Sequence, residues 1–144
     1  VLNDLPRTTF GDLGAARFVS LTTFRRTGEG VATPVWIASS GEHLLVTTPA
    51  TSGKVKRLRR DGRVLLAPCG RFGAVAPGAV PMEGVAEVLG TDREHPRETE
   101  ALRRKYGLEY RGVVALEALG RRRRGGSDER LIVRIAPAAP GAAG

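Results

Sequence analysis

The chain has 144 residues, 41% of them hydrophobic, with 23 Lys and Arg against 15 Asp and Glu for a formal net charge of +8. That length suits one domain rather than a two-domain enzyme, and the apolar content argues against wholesale disorder. The single Cys excludes an internal disulfide and suits a reducing, cytoplasmic compartment, no apolar run approaches the roughly 18 residues that cross a bilayer, and residues 1–10 lack the basic start and apolar stretch of a secretory leader.

Residues 17–24, RFVSLTTF, are β-branched and aromatic and read as a first strand. Thr27-Gly28-Glu29-Gly30 signals a turn. The run VATPVWIA at 31–38 reads as a second strand, in which Pro34, lacking an N–H, demands an edge or an irregular position. A turn at 39–42 leads to a third strand, HLLVTT at 43–48, so that two hairpins in series give an antiparallel meander.

The pattern then changes. After the loop 49–53, Val55 and Leu58 stand three apart among basic residues over 54–60, which predicts a short helix capped by Thr51 or Ser52 and ended by Asp61-Gly62. A fourth strand at 63–67 stops at Pro68, and the Gly-, Ala- and Pro-rich stretch 70–81 reads as a loop. Met82, Val85 and Val88 mark a fifth strand at 82–89. A helix is expected over 92–106, capped by Thr91 or Asp92, and a shorter one over 111–119. The run RRRRGGSDE at 121–129 reads as a mobile loop, RLIVRI at 130–135 as a last strand, and 136–144 as a disordered tail. Together these predict a mainly β protein: about six antiparallel strands closed into a small barrel, with two or three helices outside.

The sequence is poor in side chains that do chemistry themselves. Two His residues, His43 and His95, and one Cys, Cys69, are too few for a zinc site, and each reads as structural. Glu83 and Glu87 share a strand face but read as surface charge. No catalytic residue is assigned and no metal is expected. An enzyme built from this chain needs a cofactor to carry the reaction. The basic clusters, Lys54 to Arg63 and Arg121 to Arg124, lack interleaved aromatics, so they read as solvated faces rather than a nucleic-acid platform.

The most informative segment is Thr47-Thr48-Pro49-Ala50-Thr51-Ser52-Gly53-Lys54. It leaves a strand, crosses a small polar loop and enters a helix, where unpaired N–H groups favour a phosphate. Thr48 and Ser52 add hydroxyls, Lys54 adds a charge, and Arg57 follows one turn later. From the residues alone, an anion cradle and an ordinary capped helix with a basic face remain equal readings.

The order of three motifs resembles a known family. Val19-Ser20-Leu21-Thr22-Thr23, then Thr33-Pro34-Val35-Trp36, then Ser52-Gly53-Lys54-Val55-Lys56-Arg57-Leu58-Arg59-Arg60 look like the pyridoxamine-5′-phosphate-oxidase-like split barrels, closest to their branch dependent on the deazaflavin coenzyme F420. The likeness covers roughly residues 16–90 and implies a cofactor-binding split β-barrel over 1–136 with a tail at 137–144. It implies a homodimer with cofactor sites at the interface, acting on a small conjugated substrate without nucleic acid or membrane partners. It implies that Thr48, Ser52, Gly53 and Lys54 hold the cofactor phosphate with Arg57 assisting. Lys56, Arg60 and the Arg121–Arg124 run would meet the coenzyme's acidic tail, although the four-Arg run also reads as a plain solvated loop. Backbone groups of Pro34, Val35 and Trp36 would lie along the ring. The sequence departs from the vitamin B6 oxidases at Thr33 and Ala38, where they carry cations, and at Gly53, where they carry Arg. These losses favour F420 over FMN as cofactor. FMN, or a non-enzymatic cofactor binder on the same barrel, is the alternative.

Overall fold

A computed structural model of the chain describes residues 9–124 and 129–138. In chain order the elements are α1 (Phe10–Leu13), β1 (Phe18–Phe24), β2 (Gly30–Val35), β3 (Ile37–Ser40), β4 (His43–Pro49), α2 (Gly53–Arg60), β5 (Arg63–Cys69), β6 (Met82–Thr91), α3 (Pro96–Arg124) and β7 (Arg130–Pro137). The strands form one antiparallel sheet in the order β2-β1-β5-β6-β7-β4-β3. The mainly β class with flanking helices is as the sequence predicts.

The run 31–38 is not one strand. β2 ends at Val35 on one edge of the sheet, and β3 begins at Ile37 on the other. Trp36 alone joins the two edges. One residue spans only about 3.5 Å, so the sheet must roll until its edges nearly meet. No ladder forms between β2 and β3, so the sheet has seven strands and stays open along this seam. The expected closed six-stranded barrel and the meander are both corrected by this jump. Pro34 takes the edge position its missing N–H requires.

Rolling the sheet makes an inner face. Val19, Leu21, Val46, Val64, Leu66, Val133 and Ile135 are buried there, and Leu58 of α2 packs into the same core. α2 is capped by Ser52, whose hydroxyl accepts the Lys54 N–H at 3.3 Å. It leaves through Gly62, where a Cβ would sit 2.7 Å from the Ala86 carbonyl oxygen, so only Gly fits against β6. A second cluster of Ala38, Leu45, Ile132, Leu102 and Tyr106 lies between the outer face of β3, β4 and β7 and α3. Both faces of β4 are therefore covered, which explains its unbroken apolar run.

The helical boundaries differ from expectation. A four-residue α1, too short to show periodicity, is held by a capping box between Thr9 and Asp12. Thr91 caps a turn closed by Glu94, and α3 starts later, at Pro96, where a missing N–H costs nothing. Gly107, at φ 54° and ψ −127°, breaks α3 into two helices, as the sequence predicts, but the second continues to Arg124 in place of a loop from residue 121. Residues 125–128 of that expected loop lie outside the described residues. Ala136 and Pro137 continue β7, pairing with Val85 and Gly84, rather than opening the tail; most of the expected tail, 139–144, is outside the described residues.

α3 staples the seam. Tyr106 Oη accepts the Ile37 N–H at 2.8 Å and shares its own proton between Arg17 O at 2.9 Å and Ile37 O at 3.0 Å. Lys105 Nζ donates to the carbonyls of Gly14, Ala16 and Ile37 at 2.7, 2.5 and 2.6 Å. The Trp36 indole stacks on the Tyr106 ring, centroids 4.9 Å apart and planes 18° from parallel. Tyr106→Phe keeps the stack but leaves the buried Ile37 N–H unpaired. It should cost about 1–3 kcal/mol in urea unfolding, a fall of several degrees in Tm.

Candidate functional site

A cavity of about 330 Å³ opens where the C-terminal end of β4 and the start of α2 face the end of β2. One wall is Pro34, Val35 and Trp36 at the seam, with Phe18 of β1 beside them. The opposite wall is Thr47, Thr48 and Pro49 of β4, Lys54 of α2 and Arg130 of β7. Arg71, from the β5–β6 connection, also lines it. Among the described residues the lining holds three cations and no carboxylate, imidazole or thiol.

The floor is built by strand register. Pro49 pairs with Arg130 and Thr48 with Leu131, which sets Arg130 beside the end of β4. Arg130 is only 5% exposed. Its Nε donates to Thr47 Oγ1 at 3.1 Å and its Nη2 to Thr47 O at 3.3 Å. Lys54 enters the same space from the first turn of α2. Burial pushes its ammonium below the ordinary lysine value, and the guanidinium groups of Arg57 and Arg130 push it further. Like charges gathered in a half-buried place are costly unless an anion joins them.

One polar atom stands out. The Thr48 hydroxyl is buried and, among the described residues, has no hydrogen-bond partner. Thr33 Oγ1, one residue from Pro34, is the other such atom. A buried hydroxyl without a partner costs about 1–3 kcal/mol. Thr48 is part of the cavity lining, together with Lys54 and Arg130.

The residues singled out in the sequence divide into two groups. Pro34, Val35, Trp36, Thr48 and Lys54 come together around the cavity. Ser52, Gly53, Lys56 and Arg57 do not line it. Ser52 accepts the cap hydrogen bond, leaving its own O–H to donate. Arg57 Nε donates to Thr23 Oγ1 at 2.7 Å, and its guanidinium lies over Gly53, where an added Cβ would meet Nη1 at 2.9 Å. Arg57 thus acts on the cavity through its charge on Lys54 rather than by lining it. Lys56 is exposed on the outer face of α2, and Arg60 donates to Phe24 O. The side chains of Arg121–Arg124 are outside the described residues.

Arg130 and Arg71 were not legible as site residues. Arg130 begins an alternating strand, where a cation ordinarily faces water, and Arg71 lies in a Gly-rich loop. The remaining candidates behave as structural groups. His43 opens β4, His95 lies 4.0 Å from Glu98, and burial pushes the Cys69 thiol up, away from reactivity. Glu87 pairs with Arg134 at 3.1 Å on an exposed face. Among the described residues no group of three or more His, Cys, Asp or Glu is placed to hold a metal, and no helix is long and apolar enough to cross a membrane.

Comparison with known proteins adds the following. A family model described as pyridoxamine 5′-phosphate oxidase matches residues 11–139. A FAD-binding protein from Mesorhizobium loti superposes with a TM-score of 0.58 at 19% identity, covering 88% of this chain and 83% of its own. A structure titled F420 Reductase superposes with a TM-score of 0.50 at 15% identity, covering 94% of this chain and 97% of its own. At these identities the likeness concerns the fold. No protein of curated function matches.

Thr48→Val replaces the unpartnered hydroxyl with a methyl of similar size. The ligand-free protein should gain about 1 kcal/mol in urea unfolding while losing affinity for a phosphate-bearing ligand.

Proposed function

Since the chain belongs to the pyridoxamine 5′-phosphate oxidase family, we propose that it is an oxidoreductase that holds coenzyme F420 in this cavity and passes hydride between the deazaflavin and a small conjugated substrate. The observation that carries the reading is a cavity lined by half-buried Lys54, buried Arg130 and Thr48, whose buried hydroxyl has no hydrogen-bond partner among the described residues. These groups and the first N–H groups of α2 suit a phosphate. Pro34, Val35 and Trp36 offer a flat wall for a ring system. The coenzyme would supply the hydride chemistry. The chain would bind the phosphate, orient the ring along the seam and keep water away, since among the described residues no carboxylate, imidazole or thiol lines the cavity.

Two features favour the deazaflavin. Ala38 is buried in the cluster under α3, so no cation stands at that position. Gly53 leaves the start of α2 without the extra cation of the vitamin B6 oxidases, which suits the single charge of a phosphodiester. The F420 Reductase neighbour agrees with this choice. FMN remains the second reading because Arg130 restores a cation that the sequence pattern lacks, and the FAD-binding neighbour is consistent with a flavin. The reading includes a homodimer, for which exposed Leu108 and Leu116 on α3 supply apolar surface.

Protein from a host without F420 should be colourless and should quench F420 fluorescence on titration at micromolar concentration. Yellow protein that retains flavin, or no response to F420, would overturn the assignment. Lys54→Ala should weaken coenzyme binding by about 1.5–3 kcal/mol, the scale of a charged hydrogen bond.

The pH profile carries a sign. The free Lys54 ammonium lies below the ordinary lysine value and a bound anion raises it. Affinity should therefore hold at neutral pH and fall as pH rises past the free Lys54 value, with proton uptake on binding there. Lys54→Arg, charged throughout, should flatten that fall. A phosphomonoester such as FMN would add a second dependence near pH 6, where its own second proton titrates, whereas a phosphodiester would not.

A further inference from the structure

The β5–β6 connection is not slack. Cys69 bridges Val75, Gly70 N donates to Ala74 O at 2.9 Å, and Gly73 N donates to Gly70 O at 3.0 Å. The last bond closes a four-residue turn with Arg71 and Phe72 at its two central positions. Gly73, at φ +94°, adopts a conformation side chains rarely reach, and a Cβ there would lie 3.6 Å from Pro34 Cδ. The Gly73 end of the turn therefore lies beside the cavity wall. Arg71 lines the cavity, and Phe72 beside it is 93% exposed.

Arg71 is held loosely. Among the described residues its partner is Glu109 Oε1 at 3.6 Å, and the Arg71 side chain is 68% exposed. Such a pair contributes little. The other oxygen of Glu109 is bound by Arg17. If Arg71 turns away, Glu109 keeps a cationic partner and no buried charge is stranded. The guanidinium is thus free to serve an incoming anion. In the proposed function Lys54 and Arg130 serve the phosphate. Arg71 comes instead from the β5–β6 turn, whose Gly73 end lies beside Pro34, and so is a separate cation of the same cavity.

We infer that the Gly70–Gly73 turn is a substrate-recognition element, and that the substrate is a planar conjugated compound bearing a carboxylate. Arg71 would take the carboxylate through its two-pronged guanidinium, and Phe72 would cover the flat apolar face. This rests on the oxidoreductase reading only in naming the ligand as a substrate.

The test uses trans-cinnamate, a small planar conjugated acid, and its neutral methyl ester as probes. Each is titrated by calorimetry into the protein with and without saturating F420. Wild type should bind the acid about tenfold more tightly than the ester. Arg71→Gln should abolish that preference, and Arg71→Lys should keep part of it. Phe72→Ala should weaken acid and ester alike, by about fivefold, leaving their ratio intact. Glu109→Gln, which releases Arg71, should tighten the acid alone. Equal binding of acid and ester, a preference that survives Arg71→Gln, or one removed by Lys54→Gln instead, would overturn the inference, as would no binding of either probe at millimolar concentration. Failure of F420 to bind, with the Arg71-dependent preference intact in its absence, would overturn the coenzyme assignment and leave the acid-recognition role standing.

Discussion

The structure depends on a single-residue joint. β2 and β3 are consecutive in the chain yet lie at opposite edges of the sheet, and Trp36 is all that connects them. The joint forces the sheet to curl, and curling creates both the apolar interior and the cavity beside it. An unpaired seam in a rolled sheet exposes backbone groups that need partners. Tyr106 and Lys105 supply them, reaching Arg17 and Ile37 and the carbonyls of Gly14 and Ala16 from one turn of α3. The break at Gly107 follows at once, so the first segment of α3 ends on the residues that perform this task. Burial and the nearby Arg17 push the Lys105 ammonium down to about 8, yet all three of its protons are met by carbonyl oxygens.

The same joint sets one wall of the cavity, because the indole stacked on Tyr106 also lines the opening. The other wall carries an opposing cost. Lys54, Arg57 and Arg130 repel one another, and Thr48 keeps a buried hydroxyl unmatched. Arg130 is tied to Thr47 by two hydrogen bonds, whereas the Thr48 hydroxyl gains nothing on folding. A sequence selected for stability alone would place Val at residue 48. Retaining a hydroxyl there is intelligible if an anion completes the arrangement, since ligand binding then returns the free energy that the unliganded protein forgoes.

Much of this was legible in the chain. Alternation and β-branched runs located the strand segments, and Ser52 with Val55 and Leu58 located α2 and its cap. The break inside 31–38 was not legible. Val35, Trp36 and Ile37 all favour extended backbone, and β propensity does not say which strand a residue pairs with. Pro34 hinted at an edge without revealing that the next residue crosses to the opposite one. The helix end at 121–124 was misread because four Arg residues resemble a solvated loop, although Arg is a good helix former. For the site, local chemistry marked Thr48 and Lys54 because they flank a strand-to-helix turn. Arg130 lies 76 positions beyond Lys54 and meets it only through the β4–β7 register, which no short motif encodes.

The cavity's groups also differ in what holds them. Thr48 and Arg130 sit in the β4–β7 ladder, and Trp36 is pinned by the seam. Moving any of them means breaking the sheet. Arg71 sits on a turn whose closure depends on Gly70 and Gly73, and its ion pair with Glu109 leaves the guanidinium exposed. A site built this way separates two requirements. The rigid part suits a ligand common to every turnover, because fixed dipoles and charges bind without reorganising. The turn suits the component that varies, because its length and side chains can change without disturbing the ladder. Chemistry shared by such barrels would then reside in the strand-borne wall, and discrimination between substrates in the connection from β5 to β6.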